Sequence, residues 1–363
     1  MAFGEETPRP PELDELLSPL RVDGVDLARR ALLGRDLLHV HETALLETKY
    51  RYLATVSTEV LLRSPGTLES MPHEHRQQRA KPVSNTKAVS TRNATFQYWE
   101  TLLGNRTKRN RAGEMIVQGV RPINLVLESD LEVRAVLITH TNRRSPWASE
   151  TIAAVQATGA ASWLVAPELM TELGEKEEEP PELLLIVAIP ADDLSRLPIS
   201  ADALFVALDR PASPGNIGSI VRSVDALGGH GVIVTGHAAD PYDPRALRAS
   251  TGSAIMTPTV RIPGIHPALE WIEKLRADGV EIQIVGTAED GMHDVWDVDL
   301  TKPTLLVTGN EHSGMSAAWK EACDVLTRIP MTGHASSLNA ANATAAILYE
   351  ATRQRRTAGR TTH

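Results

Sequence analysis

The stretch Ala203-Leu204-Phe205-Val206-Ala207-Leu208-Asp209-Arg210-Pro211-Ala212-Ser213-Pro214-Gly215-Asn216-Ile217-Gly218-Ser219-Ile220-Val221-Arg222 reads as an apolar strand that passes through a polar turn into a helix. A short continuous apolar run bounded by turn residues fits a strand buried on both faces. Two later stretches repeat the pattern. Thr304 to Val307 leads into Thr308-Gly309-Asn310-Glu311-His312-Ser313-Gly314-Met315, and Val325 to Ile329 leads into Pro330-Met331, then Ser336-Ser337-Leu338-Asn339. Ligands of open α/β sheets bind just beyond the carboxyl ends of the strands. Three polar clusters at such ends predict one composite site.

Working outward, strands are expected at Ala203 to Leu208, Val232 to Thr235, Ile282 to Gly286, Thr304 to Thr308 and Val325 to Ile329. Helices are expected at Asn216 to Leu227, His266 to Ala277, Ser316 to Ala322 and Ser337 to Arg353. Short crossovers between apolar strands imply a buried parallel sheet of α/β class. Ahead of it, a second alternation runs from a helix at Asn93 to Leu103 to a strand at Leu183 to Ile189 and predicts a small α/β domain. Three segments follow: a helical N-terminal extension and linker over 1–90, the small domain over 91–198, and the large domain over 199–363. The stretch from Ser64 to Thr91 is rich in Pro, Ser, Gln and charge and reads as a linker or ordered loop.

The 363 residues carry a net charge of -9, yet the charge is unevenly placed. Arg76, Arg79, Lys81, Lys87, Arg92, Arg106, Lys108, Arg109, Arg111 and Arg121 face only Glu100 and Glu114 in the same stretch. A basic stripe in an acidic protein is compatible with phosphate contacts, and equally with a solvated helix face. Acidic residues gather at Glu172 to Glu182, which reads as a solvated loop. Cys323 is the single cysteine, which excludes an intrachain disulfide and a cysteine-based zinc site and fits a reducing cytoplasm. No apolar run approaches the roughly 20 residues that span a bilayer, and the N-terminus lacks signal-peptide character. Neither a dinucleotide fingerprint after a strand nor a nucleophile elbow occurs. No clustered His, Cys and carboxylate pattern suggests a metal.

The three clusters resemble the signature motifs of the SpoU (also called TrmH) family of RNA ribose 2'-O-methyltransferases, of the knotted SPOUT class. The resemblance runs from about Ala203 to Arg356. Lys108 to Val120 is similar to the start of the ribosomal-protein-like substrate domain of many such enzymes, with Gln118-Gly119 replacing the more usual Glu-Gly. The resemblance implies a deep trefoil knot, which strand pattern alone would not predict. It also implies S-adenosylmethionine as cofactor, structured RNA as substrate with ribosomal RNA favoured over transfer RNA, and a homodimer with Ser337 to Arg353 as packing helix. A noncatalytic RNA-binding relative, a transfer-RNA enzyme and a base-methylating enzyme are the rival readings.

By local sequence, Asn216 could cap its helix, Arg222 could be a surface ion-pair residue, and Glu311 could serve an arginine or a helix N-terminus. The resemblance instead implies that Asn216, Arg222, Glu311, Ser337 and Asn339 carry the chemistry, with Glu311 orienting Arg222, from the same chain or from a partner. It implies that Thr308, Gly309, Asn310, Ile329, Met331 and Leu338 hold the cofactor. Arg106, Lys108, Arg109, Arg111, Arg248 and Ser250 are the expected RNA contacts. His312-Ser313 departs from the family, where a glycine usually precedes a variable residue.

Overall fold

A computed structural model describes residues 86–175 and 179–359. The helical extension and most of the linker expected over 1–90 lie outside the described residues, as do 176–178 of the acidic stretch.

The first part forms β1 (Lys87–Val89), α1 (Ala94–Gly104), α2 (Arg106–Ala112), β2 (Glu114–Gln118), α3 (Val120–Glu128), β3 (Val133–Thr139), α4 (Pro146–Ala157), β4 (Ala161–Val165), α5 (Pro167–Gly174) and β5 (Leu183–Ala188). Its sheet runs β1-β4-β3-β5-β2, with β5 antiparallel to both neighbours. Asn93 starts α1 by accepting from the Phe96 N–H, and Gly113, at φ 63°, ends α2 where a side chain would be strained. Strand β1 lies in the stretch expected as linker, and Glu172, expected in a loop, lies in α5. Tertiary pairing with β4 orders the first, and apolar anchoring of Leu169, Met170 and Leu173 orders the second.

The second part forms β6 (Leu204–Asp209), α6 (Pro214–Ala226), β7 (Gly231–Thr235), α7 (Pro244–Ser250), α8 (Ser253–Met256), β8 (Thr259–Ile262), α9 (His266–Ala277), β9 (Gln283–Thr287), β10 (His293–Asp294), β11 (Thr304–Thr308), α10 (Ala317–Ala322), β12 (Val325–Arg328) and α11 (Ala340–Thr357). Every strand pairing is parallel, in the order β10-β12-β9-β11-β6-β7-β8. One face is buried under α6 and α11, the other under α9 and α10. Helix α11 starts three residues later than expected, because the Asn339 side chain accepts from the Ala341 N–H and so caps it. Strands β6, β11, β9 and β12 are consecutive neighbours, so the three polar clusters open at the same edge, with the end of β9 between the second and third.

The two parts share a core. Tyr242, from the turn before α7, is buried among Met115, Ile123 and Val126, and Leu247 and Ile255 pack against the same cluster. Arg109 belongs to this junction and not to an RNA-facing surface, which corrects the expectation. It is 1% exposed, pairs with Asp240 at 2.8 Å, and donates to the Leu102 and Leu103 carbonyls at 2.6 and 3.0 Å. A guanidinium stripped of water needs such complete partnering, and no donor is left for a phosphate. Ser250 is corrected likewise. Buried at the end of α7, it donates to the Leu247 carbonyl at 2.8 Å, a local bond that removes its hydroxyl from substrate.

Candidate active site

Helix α6 begins with Ser213, whose hydroxyl accepts from the Asn216 N–H at 3.3 Å, and Pro214 occupies the first turn. Ser213, not Asn216, is therefore the cap, and the Asn216 side chain is free for other partners. Its amide donates to Glu311 Oε1 at 2.8 Å, and its oxygen accepts from the Asn339 amide at 3.1 Å. One residue from each motif thus joins a single relay across three strand ends.

Glu311 also accepts from the Ala212 and Ser213 N–H groups at 2.9 and 3.3 Å, at the positive end of α6. Burial works against its ionisation, but these N–H groups and the Asn216 amide outweigh burial and hold the carboxyl below the usual range. At neutral pH Glu311 is an anion committed to α6. Within one chain it does not contact Arg222, contrary to that part of the expectation. Arg222 lies six residues along α6 from Asn216, which is roughly 120° around the helix axis. It is exposed and, among the described residues, has no hydrogen-bond or ion-pair partner.

The second cluster is shaped by Asn310. Its backbone exchanges two 3.0 Å bonds with Gly314, and its side-chain oxygen accepts from the His312 and Ser313 N–H groups at 2.9 and 3.1 Å. Its amide donates to the Arg210 carbonyl at 2.6 Å, tying the loop to the end of β6. A Cβ at Gly309 would stand 2.4 Å from the Met315 nitrogen, so this turn requires glycine there. Among the described residues the left-handed non-glycine positions are Glu175, Arg210 and Thr251. His312 therefore occupies ordinary backbone, and its substitution for glycine costs the loop no strain. Asp209 braces the same loop by accepting from the Ser316 N–H at 2.7 Å and from Arg210. Burial would raise its pKa, but those donors prevail and lower it.

Beside the relay lies a cleft of about 850 Å³ between the ends of β9, β11 and β12. Thr308, Gly309, Asn310, Ile329, Met331 and Leu338 all line it, as do Glu311 and Ser337. Met331 and Leu338 are 39% and 41% exposed, and form an apolar wall open to solvent. The Thr308 hydroxyl is spent on Thr344, 2.9 Å away on α11, so Thr308 borders the cleft with its main chain. The sequence reading missed Thr287 to Asp290, at and just beyond the end of β9, which line the same cleft. That strand end carries no motif, and only the strand order places it between two that do.

The expected RNA contacts fall into two groups. Lys108 and Arg111 are exposed on α2. Arg106 is exposed but donates to the Ala238 carbonyl, and Arg248 pairs with Glu175 of the first part. Both therefore help join the two sheets.

An L30e-like domain ahead of a parallel-sheet methylase domain defines the class, for residues 93–185 match the SpoU L30e-like domain and 203–349 the SpoU rRNA Methylase family. The chain belongs to the SpoU rRNA methylase family. It is 53% identical over 277 residues, 76% of this chain and 96% of the other, to the 23S rRNA (uridine(2479)-2'-O)-methyltransferase of Streptomyces viridochromogenes. The crystal structure of the SpoU methyltransferase AviRb from that organism, in complex with AdoMet, matches with a TM-score of 0.70 and 55% identity. That match covers 73% of this chain and 99% of AviRb. An AdoMet-bound rRNA methyltransferase from Sinorhizobium meliloti matches with a TM-score of 0.66 and 26% identity, over 75% of this chain and 98% of the other.

Proposed function

We propose that this protein methylates a ribose 2'-hydroxyl of 23S ribosomal RNA, using S-adenosylmethionine. The observation that carries the reading is the convergence of all six cofactor-directed residues on one cleft, beside the Asn216–Glu311–Asn339 relay. The cleft suits the cofactor. Its volume lies within the range of small-molecule sites, roughly 300–1,000 Å³. Its walls combine apolar Ile329, Met331 and Leu338 with both charge signs, from Glu289 and Arg328, for an amino-acid tail.

When bound, the cofactor supplies an electrophilic methyl group. The chain's own work is positioning, which contributes on the order of 7–11 kcal/mol in favourable cases. Glu311 fixes the Asn216 amide, and Asn216 and Asn339 hold the first and third strand ends together. Arg222 offers a planar guanidinium with donors only. It is assigned to the ribose and its adjacent phosphate, where it stabilises negative charge developing on the 2'-oxygen. Because Arg222 is not in contact with Glu311 of its own chain, we assign the working form to a homodimer in which a second copy completes the site. Helix α11 is the packing element, with Tyr349 64% exposed on it. The family's trefoil knot is assigned to the segment between β12 and α11, and the cytoplasm to the protein's location. No described helix is long and apolar enough to cross a membrane.

The test is incubation of purified protein with radiolabelled methyl donor and either 23S rRNA or bulk tRNA. The product is then mapped by nuclease digestion and mass spectrometry. Label on a 23S ribose is expected; label on tRNA, on a base, or nowhere would each overturn the reading.

A further inference from the structure

A second cavity, of about 420 Å³, opens on the L30e-like domain, on the sheet face that α1 and α5 cover only in part. Its floor is apolar and small, made by Ala135 and Ile186, and its walls are Tyr98 and Trp163. Glu114 and Arg134 form the polar rim. Residue alternation puts Glu114, Ala135, Trp163 and Ile186, from four neighbouring strands, on this one face.

The rim is specific in its construction. The β3–β5 register shifts between Val133 and Ala135, and the residue at the irregularity is Arg134. Such irregularities re-aim side chains. Arg134 stands 3.6 Å from Glu114, and the Tyr98 hydroxyl donates to the other Glu114 oxygen. Burial and that carboxylate push the Tyr98 phenol up, so it remains a donor. The Glu114 side chain is only 13% exposed, while Arg134 is 44% exposed and also donates to the exposed Glu132 at 3.4 Å, a solvent-side pair that a phosphate would have to displace. Behind them Trp163 is held edge-on by Trp99 at 5.3 Å, with the Lys87 ammonium 5.2 Å from the Trp163 ring. Two aromatic walls, a fixed carboxylate and two nearby cations match a flat base with donor edges and an attached phosphate. Stacking on aromatic side chains with cations along the backbone is how proteins hold unpaired nucleotides.

We propose that this cavity receives one unpaired nucleotide of the RNA substrate: Tyr98 and Trp163 stack its base, Glu114 accepts from its edge, and Arg134 and Lys87 meet its phosphate. The proposal rests on the reading that RNA is the substrate, and it adds a contact remote from the cofactor cleft. It also assigns RNA recognition to a surface other than the α2 basic residues.

The test uses the full-length protein and a short single-stranded oligouridylate carrying 4-thiouridine, with a self-paired RNA duplex as control. Photocrosslinks are expected on the peptides containing Tyr98 or Trp163 with the single strand and not with the duplex. Tyr98→Ala is expected to weaken single-strand binding about tenfold, within the range of one lost stack. Arg134→Gln, an exposed change that spares the core, should weaken it as well. Wild-type affinity in both variants, or crosslinks confined to other peptides, would overturn the proposal. So would hydroxyl-radical footprinting in which Tyr98 and Trp163 are already protected without RNA, because the protein itself would then fill the cavity. Loss of the pocket's role with rRNA methylation intact leaves the proposed function standing. Crosslinking at Trp163 without methyl transfer supports the pocket and counts against the function.

Discussion

The side-chain amide of Asn216 donates to Glu311 across 2.8 Å while its oxygen accepts from Asn339 at 3.1 Å. Only a side chain with separate donor and acceptor ends can do both. An aspartate there would keep the acceptor but set a second anion against Glu311. Asn216→Asp and Asn216→Ala are both expected to lower kcat by on the order of 100-fold, as the loss of one preorganised polar group does. The aspartate should be the worse of the two, with cofactor affinity retained. Steady-state kinetics beside equilibrium dialysis checks this, and a wild-type kcat for Asn216→Asp would eliminate the relay.

Arg222→Ala should abolish turnover and leave cofactor binding intact, because Arg222 is exposed and outside the cleft lining. If the working form shares sites between copies, mixing inactive Arg222→Ala with impaired Asn216→Ala subunits should raise activity above that of either variant alone in part of the mixed dimers. Complete absence of recovery after subunit exchange would place both residues in one chain's site.

Glu311 gives the fold a defined acid sensitivity. Its pKa is below the ordinary glutamate value, despite burial, because of the Ala212 and Ser213 N–H groups and the Asn216 amide. The unfolded chain therefore binds this proton first as pH falls. The contribution is complete above the ordinary glutamate range, near pH 4.3, and is lost as pH drops through the lower folded value. Glu311→Gln should be less stable than wild type at pH 7 and approach it under acid. A constant difference in denaturation midpoint across that window would show that the charge does not stabilise α6.

The motif loop makes two opposite expectations. His312→Gly should retain cofactor binding, with at most a modest loss since His312 also lines the cleft, because His312 needs no left-handed backbone and Asn310 holds the turn. Gly309→Ala should abolish cofactor binding, because its Cβ would meet the Met315 nitrogen and Gly314 carbon at 2.4 and 2.5 Å. Isothermal titration of both variants settles the matter; tight binding by Gly309→Ala would contradict the geometry.

Two basic residues one position apart should behave differently. Arg109→Met removes the nearer of the two cations facing buried Asp240, leaving it Arg261 at 3.6 Å and the Tyr242 N–H at 3.0 Å, a loss of up to about 3–5 kcal/mol in urea denaturation. The Lys108 side chain has no hydrogen-bond or ion-pair partner among the described residues, and Lys108→Ala should leave stability alone. If Lys108 meets a phosphate, its removal lowers the slope of log affinity against log salt by about 0.7–0.9. A stable Arg109→Met protein with a reduced salt slope would return Arg109 to the RNA surface.

Much of this was legible in sequence because it is local. Apolar runs such as Leu204 to Leu208 and Thr304 to Thr308 announce buried strands, and the motif resemblance directed attention to residues that do line one cleft. The missed elements are those whose order comes from partners. Strand β1 forms only as an edge on β4, and α7 and α8 are anchored by Leu247 and Ile255 in the other domain's core. Arg109 and Lys108 look alike on paper, and one is buried. The sequence by itself determined the parallel α/β class and the three strand-end clusters, since periodicity and turn chemistry are carried by neighbouring residues, and the family resemblance of those clusters supplied the candidate cofactor residues. Only the tertiary structure decided that Asn216 bridges Glu311 and Asn339, that the end of β9 joins the cleft, and that Arg109 locks two domains together. Those are contacts between residues about 90 to 130 positions apart, and strand order and burial, not spacing along the chain, bring them within hydrogen-bond reach.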